Sequence, residues 1–539
     1  MRNLPTILLA SLLTTGTAAA QPTLKPHAPA DYRQTAAVLA HYPPVPGVTL
    51  DSPAFRGAEP SLTGQQAMMD FLTILARDNR RMKLGSLGRS PQGRDIPVAY
   101  FTAEGLADPS AIARLGRPVV WLIGQQHGNE PAGGEAMLAL AAALAKGELA
   151  WLPAKVSVVV VPRANVDGAA ADRRVVASGA DPNRDHLMLS QPEVRALHEG
   201  MKVLPPDVVF DHHEFSVAWR WLEKFGGLQA PDVTILEATN PSIPRALTDI
   251  ARGTYRPALE AAIARVGLSS HDYMTTAANL GDRRVSLGGA APGIARNTFG
   301  LRGSVSYLIE TRGVGIGLQS YQRRVATHYL LAKAVLETTA ADPGGLLQRL
   351  AEARRAAAAD RADLVVSYKV GERPIDLPLI DAEGGTPRPV PATLIDSRDI
   401  RPTDMRPRPR GYLVVRSGRA VAERLALNNV RSCEVPAAAG VPVEGYTVQR
   451  VGVATQAGRE SINPDQSMRV TVRPETIDLP AGTLFVPMAQ TASGIVSAAL
   501  EPDSPGSYLA VGVIPLEVNA TEPPVYRVMA NAPASLGCP

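Results

Sequence analysis

Cysteine is scarce in this sequence, with only Cys433 and Cys538 among 539 residues. So few cysteines argue against a zinc finger, an iron–sulfur cluster and a Cys nucleophile embedded in a cysteine motif. Aromatic residues are also sparse, at 5% of the chain. Composition therefore excludes several classes of site but leaves the function open, and the function has to be sought in a few local motifs.

The sequence also lacks a strong excess of either charge. Its 55 Lys and Arg residues nearly balance 51 Asp and Glu residues, both signs are spread along the chain, and the formal net charge is +4. We therefore expect no nucleic-acid partner, because such partners require clustered basic residues. After the first 20 residues no segment reaches the ~18 uninterrupted apolar residues of a membrane span. No membrane-spanning helix is expected.

The chain has enough apolar residues for a large core, since 45% of its residues are hydrophobic and 20% are charged. At roughly 150 residues per domain, its length predicts two to four domains.

The first 20 residues have the layout of a secretory signal. Arg2 supplies a positive charge, residues 4–13 are apolar, and small residues precede Gln21. This layout predicts cleavage after Ala20 and a periplasmic or secreted protein. A buried N-terminal helix is the alternative, although the apolar run ends in a cleavage-like site. Export makes a disulfide between Cys433 and Cys538 chemically possible.

Short apolar runs alternate with helical stretches between residues 53 and 340. Residues 118–123 and 156–161 are β-branched runs with little polar alternation, which indicates strands covered on both faces. Residues 134–146 favour a helix between them, and a third apolar run lies at 207–210. The pattern predicts an α/β fold with a mixed sheet flanked by helices, in which sites gather at the carboxyl ends of strands.

The character of the chain changes near residue 363. Short strand-like runs separated by Pro- and Gly-rich turns follow, which predicts a β-rich second domain. We therefore predict a signal peptide, an N-terminal arm, an α/β domain, a helical linker and a β-rich accessory domain. Their predicted bounds are 1–20, 21–52, 53–340, 341–362 and 363–539.

The strongest local motif follows the first buried run, where His127 and Glu130 stand three residues apart. A His and a Glu on a turn into a helix can face one ion, and their side chains are good ligands for Zn²⁺. Alone, the pair is weak evidence, since a Glu at a helix start beside a surface His is common.

A third candidate ligand lies at the end of another predicted strand. Residues 211–214 close the run that begins at 207, so they are expected at the same edge of the sheet as His127. Two His and one Glu with an open fourth position form a catalytic zinc set. Because His212 and His213 point to opposite faces of a continuing strand, only one of them can be the ligand.

These residues resemble the zinc carboxypeptidases of the carboxypeptidase A type. That family has a His-x-x-Glu pair after a central strand, and its third ligand lies in an Asp-x-His sequence, which favours His213. It also has Asn-Pro-Asp-Gly, a separate Arg, Asp-x-Asn-Arg, and a Glu shortly before an Arg. The corresponding residues here are Asn165, Asp167, Gly168, Arg174, Asp181, Asn183, Arg184, Glu310 and Arg312. Five elements in family order are much more specific than any one of them.

The resemblance implies one zinc ion per chain, bound by His127, Glu130 and His213. Zinc polarises a scissile carbonyl and lowers the pKa of bound water to about 7. Asp181 is implied to accept the other ring proton of His127, which fixes the tautomer of that imidazole. Glu310 is implied as the general base and acid.

The remaining matched residues are implied to hold the substrate. Arg174 would face the oxyanion that forms on the carbonyl. Arg184 offers a planar fork to the terminal carboxylate of a peptide, and Asn183 adds an amide donor. The family's mobile Tyr should lie between His213 and Glu310, where Tyr255 and Tyr273 are both available.

Each of these residues also has an ordinary structural explanation. Arg174 could be a surface cation, Glu310 could form an ion pair with Arg312, and Asn183 could be a turn residue. Their occurrence together in family order favours the site.

The implied function is a secreted or periplasmic zinc metallocarboxypeptidase that acts on peptides with a free C-terminal carboxylate. Residues 479–490 and 498–502 are similar to an accessory region of larger secreted members. One alternative keeps the metal chemistry in an amidase or endopeptidase of cell-wall peptides or in an N-acyl amino acid deacylase. A binding protein without activity is a different class, and the presence of Glu310 argues against it. The oligomeric state stays open.

Overall fold

The computed structural model describes residues 32–277, 279–454, 465–516, 520–529 and 538. The predicted signal peptide and the first part of the predicted arm lie outside these ranges. The rest of the arm packs on the α/β region, because Tyr32 N donates to Gly315 O at 2.9 Å and Tyr42 Oη donates to Ala230 O at 2.8 Å.

Helices occur in both the α/β region and the strand-rich C-terminal region. Several begin with Pro in the first turn, where its missing N–H has no helical partner to lose. The helices are α1 (Ala36–Leu39), α2 (Gln65–Asp78), α3 (Pro109–Ala113), α4 (Pro131–Lys146), α5 (Val166–Ala171), α6 (Pro192–Val203), α7 (Arg220–Phe225), α8 (Arg245–Ile250), α9 (Arg256–Ala264), α10 (Ala295–Leu301), α11 (Tyr321–Ala341), α12 (Pro343–Ala359), α13 (Gly418–Leu427) and α14 (Ser493–Leu500). None of the described helices has the length and apolar character that a membrane crossing requires.

The strands fall into three sheets. In chain order they are β1 (Met82–Arg89), β2 (Asp95–Phe101), β3 (Val119–Gly124), β4 (Ser157–Val161), β5 (Val208–Ser216), β6 (Leu228–Gln229), β7 (Val233–Glu237), β8 (Ser270–Asp272), β9 (Arg284–Ser286), β10 (Val305–Val314), β11 (Leu364–Ile380), β12 (Pro387–Arg406), β13 (Gly411–Val414), β14 (Cys433–Val435), β15 (Ala438–Ala454), β16 (Asp465–Leu479), β17 (Thr483–Pro487) and β18 (Val525–Val528).

The central sheet has eight strands in the order β1-β2-β4-β3-β5-β10-β7-β8. Strands β4, β3, β5 and β10 are parallel, and the β1–β2, β2–β4 and β10–β7 pairs are antiparallel. The predicted mixed sheet flanked by helices is therefore confirmed. The carboxyl ends of β3, β5 and β10 lie side by side, and the motif residues of the sequence follow or end these strands.

Strand β3 shows why the strands of the central sheet have uninterrupted apolar sequences. Val120 and Leu122 join the core that α4 and α11 cover, whereas Trp121 and Ile123 join a second core under α6 and α10. All six residues of β3 are buried. Because helices cover both faces of this strand, both faces carry apolar residues, and the sequence does not alternate between polar and apolar positions.

The C-terminal region is rich in strands, as predicted. Its first two strands form the long antiparallel hairpin β11–β12, which lies in a four-stranded sheet in the order β6-β11-β12-β9. Strand β9 pairs with β12 in parallel, through Thr393 and Arg284 among others. Backbone hydrogen bonds therefore cross residue 363, the boundary expected from the change in composition.

The six-stranded third sheet has the order β14-β17-β13-β18-β15-β16. A disulfide joins Cys433 to Cys538 across 105 residues, with 5.6 Å between their Cα atoms. The two cysteines are therefore bonded to each other and belong to the C-terminal region.

Candidate active site

Three strand ends bring the predicted site residues together. His127 and Glu130 lie on the turn between β3 and α4, where Glu130 is the residue immediately before the helix. His213 lies near the end of β5, and Glu310 is opposite it on the neighbouring strand β10. All four side chains are at least nine-tenths buried.

Two imidazoles and one carboxylate converge on a single point. His127 Nδ1 lies 2.8 Å from Glu130 Oε1, His213 Nδ1 lies 2.8 Å from Glu130 Oε2, and the two Nδ1 atoms are 2.9 Å apart. His127, Glu130 and His213 thus form what we name the His–Glu–His cluster, and all their ligand atoms lie within 4.8 Å of one another.

The outer nitrogen of each imidazole in this cluster faces a carboxylate. His127 Nε2 lies 3.1 Å from Asp181 Oδ1, and His213 Nε2 lies 2.7 Å from Asp211 Oδ2. These contacts favour tautomers with the proton on Nε2, which leave the lone pair of each Nδ1 directed into the cluster.

His212 points away from the cluster, as alternation along a strand requires. Its Nδ1 lies 3.0 Å from His328 Nδ1, on the α11 side of the sheet, and burial lowers the pKa of His212 to about 3. His213 is therefore the member of the pair that the fold brings to His127 and Glu130.

The donor set of the cluster fits a zinc ion. Two imidazole nitrogens and a carboxylate are a known catalytic zinc set. Here the two Nδ1 atoms lie 2.9 Å apart, and in the tautomers described above neither of them carries a proton. Burial raises the pKa of Glu130, but His127 and His213 lower it well below its usual range. The carboxylate is thus held ionised at the point where a divalent cation would be bound.

Glu310 lines an open cleft of about 480 Å³, to which Glu130, Arg174 and Arg184 also contribute. Burial raises the pKa of Glu310 to about 7, and the carboxylate of Glu130 adds to this rise. Arg312 is directed elsewhere, because its Nη2 donates to Gln229 O and its guanidinium stacks on the Tyr42 ring. Among the described residues no ion pair joins Glu310 to Arg312.

Arg174 and Arg184 line the cleft on the side of Asp181. Arg174 donates to Asp181 Oδ2 at 2.9 Å and approaches Glu130 Oε1 at 3.2 Å, with 42% of its side chain exposed. Arg184 Nη1 donates to Asn183 O at 2.7 Å. Both guanidinium groups are therefore beside the cluster and within the cleft.

Asn183, the predicted amide donor to the substrate, is a buried residue beside His213. It is only 5% exposed, its Oδ1 accepts from Ala295 N at 2.9 Å, and its Nδ2 comes within 3.5 Å of His213 Nε2. In this structure the side chain joins α10 to the segment that carries Arg184.

The structure separates the two tyrosines that the sequence left open. Tyr273 lines the cleft and forms a side-chain hydrogen bond with Glu310. Tyr255 is 1% exposed and its Oη is 2.9 Å from Thr339 Oγ1, behind the sheet. Tyr273 is therefore the tyrosine in a position to meet a substrate.

Sequence reasoning missed the contact of Asp211 with His213. Asp211 also accepts from Gln126 Nε2 at 2.8 Å, so its carboxylate is held between two partners. The signal was present, because residues two apart on a strand share a face. Trp219 was also missed, and it lines the cleft with 49% of its surface exposed.

A mixed α/β sheet with a His–Glu–His cluster and a buried glutamate at its carboxyl edge defines a metal-dependent hydrolase. Residues 68–315 match the sequence model of the zinc carboxypeptidase family, and this part of the chain is a zinc carboxypeptidase domain. The predicted resemblance and the predicted enzyme class, a zinc metallocarboxypeptidase, are thereby confirmed.

Curated relatives extend the similarity beyond this domain. Carboxypeptidase 2 of Trichophyton rubrum is 29% identical over 518 residues, which cover 92% of this chain and 94% of that protein. Probable carboxypeptidase 2 of Trichophyton verrucosum is 29% identical over 491 residues, covering 87% of this chain and 93% of that protein. These matches include the C-terminal region.

Among solved structures, a metallo-carboxypeptidase from Burkholderia cenocepacia is similar with a TM-score of 0.39 and 19% identity, covering 51% of this chain and 68% of that chain. A metallo-carboxypeptidase from Pseudomonas aeruginosa has a TM-score of 0.37 and 22% identity, covering 52% of this chain and 68% of that chain.

Proposed function

We propose that this protein removes residues from the C-terminus of peptides by hydrolysis at the His–Glu–His cluster, with Glu310 as the proton acceptor. The observation that carries the proposal is the position of Glu310, a buried carboxylate that is opposite His213 on the neighbouring strand and lines an open cleft. Burial raises the pKa of this carboxylate above the usual range of a glutamate, which favours a group that can both take up and release a proton.

His127, Glu130 and His213 are the proposed ligands of one zinc ion per chain. Zinc bound there supplies Lewis acidity, which polarises the scissile carbonyl and acidifies water. Asp181 and Asp211 hold the two imidazoles in the ligating tautomer. Asp211 thereby joins Asp181 as a positioning residue.

Glu310 accepts the proton of the attacking water and delivers it to the leaving amine. Arg174, beside Glu130, is placed to stabilise the negative charge that develops on the carbonyl oxygen. Tyr273 closes the cleft next to Glu310, where its hydroxyl contacts that carboxylate.

Arg184 is the proposed partner of the terminal carboxylate of the peptide. A planar guanidinium binds a carboxylate through two parallel hydrogen bonds. Asn183 is next to this arginine in the chain, and its Oδ1 accepts a hydrogen bond from Ala295 N, which holds the segment of Arg184 against α10. A cation that lines the same cleft as Glu310 favours a substrate with a free terminal carboxylate.

Export is proposed from the layout of residues 1–20. The disulfide between Cys433 and Cys538 supports it, because disulfides persist in oxidising compartments.

The test is mass spectrometry of a peptide mixture after incubation, with each peptide present as the free acid and as the C-terminal amide. We expect loss of single C-terminal residues from the free acids and little cleavage of the amides, because Arg184 then has no carboxylate to bind. Equal cleavage of both forms, or cleavage at internal bonds, would contradict the carboxypeptidase assignment and favour an endopeptidase or amidase.

A further inference from the structure

Arg296 is a buried cation close to Tyr273, a residue that lines the cleft, and the reaction described above does not use it. It is the second residue of α10 and is only 2% exposed. Its Nη2 donates to Gly289 O at 2.5 Å, whereas its Nε has no hydrogen-bond partner in the part of the chain that the structure describes. A guanidinium buried in this way carries a large desolvation cost unless an anion compensates it.

The acids around Arg296 are engaged elsewhere. Glu237 forms ion pairs with Arg252 at 2.6 Å and with Arg398 at 2.7 Å. Glu310 accepts from Tyr273 and faces the His–Glu–His cluster. No ion pair between described residues includes Arg296. Glu237 and Glu310 therefore lie near enough to raise the pKa of Arg296, but neither forms an ion pair with this guanidinium in the part of the chain described.

Arg296 is next to the lining of the cleft, because it approaches Tyr273. A Cβ atom placed on Gly288 would be 2.8 Å from Arg296 Nη2 and 3.3 Å from Tyr273 Cδ1, so the guanidinium and the tyrosine ring meet at one glycine. Ala295, the preceding residue, is tied to Asn183 and hence to the segment of Arg184.

The charges that act on Arg296 also come from the cleft. Burial lowers the pKa of its guanidinium to about 10, Tyr273 raises it, and the like charge of Arg184 lowers it again. Two arginines close enough to disfavour each other are stabilised together by an anion, and most strongly by two anionic groups held on one ligand.

We propose that Arg296 binds the side-chain carboxylate of the substrate's last residue, so that the cleft selects peptides ending in Asp or Glu. The inference rests on the proposed function, because it assumes that Arg184 binds the terminal carboxylate of the same residue. One acidic residue then neutralises both guanidinium groups. A neutral or basic side chain leaves Arg296 buried without a counter-charge.

The test compares the cleavage of three N-blocked peptides that differ only in a last residue of Glu, Gln or Lys. Hydrogen bonds to charged groups contribute about 1.5–3 kcal/mol, so we expect kcat/KM for Glu to exceed that for Gln by roughly 10- to 150-fold. The Lys peptide should be the poorest. Equal values for Glu and Gln, or a preference for Gln or Lys, would overturn the inference and leave the carboxypeptidase assignment intact.

Binding of free glutamate and free glutamine by calorimetry separates the two proposals. If no free-acid peptide is cleaved, the proposed function fails. Tighter binding of glutamate than of glutamine, lost in Arg296→Met, then still supports the anion site, and equal binding of the two rejects it.

Arg296→Met tests the residue itself, since it removes the charge and keeps an apolar side chain of similar length. We expect the Glu to Gln ratio to fall to about 1, because the charge that distinguishes the two side chains is gone. Arg302→Met is the matched control, because Arg302 is a buried arginine at the end of α10 that donates to Met201 O at 3.3 Å. Its ratio should stay at the original value. If Arg296→Met does not fold, the ratio measured on the unmodified chain decides the question alone.

Discussion

Two clusters of buried charge lie in different regions of this protein, and they are built on opposite plans. The His–Glu–His cluster gathers three acceptor groups whose atoms face one another. The cluster that we name the arginine–acid cluster consists of Arg406, Arg527, Glu501 and Asp503 in the C-terminal region. There each cation faces an anion, with Arg406 Nη1 at 2.8 Å from Glu501 Oε2 and Arg406 Nη2 at 2.5 Å from Asp503 Oδ2.

The difference separates a binding site from a structural network. The arginine–acid cluster is compensated by its own members, and Tyr412 Oη also donates to Glu501 Oε1 at 2.6 Å. In the His–Glu–His cluster three acceptor groups instead converge on one point, and the half-exposed Arg174 approaches Glu130 at 3.2 Å. Buried charge by itself therefore does not identify a site, whereas buried acceptor groups that converge beside an open cleft indicate one.

The largest expected effect is the loss of the metal from the first cluster. His213→Ala removes a ligand, so we expect the variant to lose zinc and all measurable hydrolysis. His212→Ala, one residue away on the other face of β5, is the control and should retain about one zinc per chain. Elemental analysis of the purified, folded variants measures both, and a variant of His212 that loses its zinc would contradict the choice of ligand.

Next in size is the effect of removing the proton acceptor. Glu310→Gln keeps the shape of the side chain but cannot take up the proton, so kcat should fall by roughly 10²- to 10⁴-fold. Zinc content should stay unchanged, because Glu310 is outside the ligand set. Steady-state kinetics beside zinc analysis checks this, and activity close to that of the original chain would exclude Glu310 as the base.

Breaking the second cluster should affect stability and leave catalysis intact. Glu501→Ala leaves Arg406 and Arg527 partly uncompensated, which should lower the free energy of unfolding by about 3 kcal/mol. Denaturant unfolding measures the change, and Glu434→Ala, at an exposed glutamate of the same region, serves as control. An equal loss in both variants would show that the arginine–acid cluster is not a stabilising network.

The smallest expected effect tests a link between the two regions. Arg398 of β12 donates to Asp272 Oδ2 at 2.7 Å, directly before Tyr273. Arg398→Ala should displace this segment and lower kcat/KM by about tenfold. A 1 Å misplacement of reacting groups is able to lower the rate by about 100-fold, and we expect a smaller displacement here. Arg373→Ala on β11 is the matched control, since Arg373 pairs with Asp396 and is half exposed. Equal kinetic constants in the two variants would show that the contact of Arg398 with Asp272 does not affect catalysis.

Local spacing explains why much of the site was predictable. His127 and Glu130 are three residues apart in the sequence. Their partner His213 lies near the end of β5, and the apolar run that begins this strand is visible in the sequence. The order of the motifs assigned Arg174, Arg184 and Glu310 to the same predicted site. In the structure these three residues line one cleft.

Other features depended on contacts between distant parts of the chain. The choice between Tyr255 and Tyr273 depended on which face of the sheet each occupies. Arg296 gave no signal, because nothing in its neighbouring residues shows that it is buried without a counter-ion. The pairing of β9 with β12 joins residues more than a hundred positions apart, and the hydrophobic pattern of each strand is compatible with many partners.

The parallel pairing of β9 with β12 has a practical consequence for anyone who wishes to shorten this protein. The apolar residues Val285 and Leu287 beside the cleft pack against Leu377 and Leu394 of the hairpin. An expression fragment that stops after α11 would expose this surface and release one edge of the segment that carries Tyr273. The minimal active fragment should therefore extend at least through β12. The family match ends at residue 315, so it covers the part of the chain that sequence similarity recognises but not all of the part that activity requires.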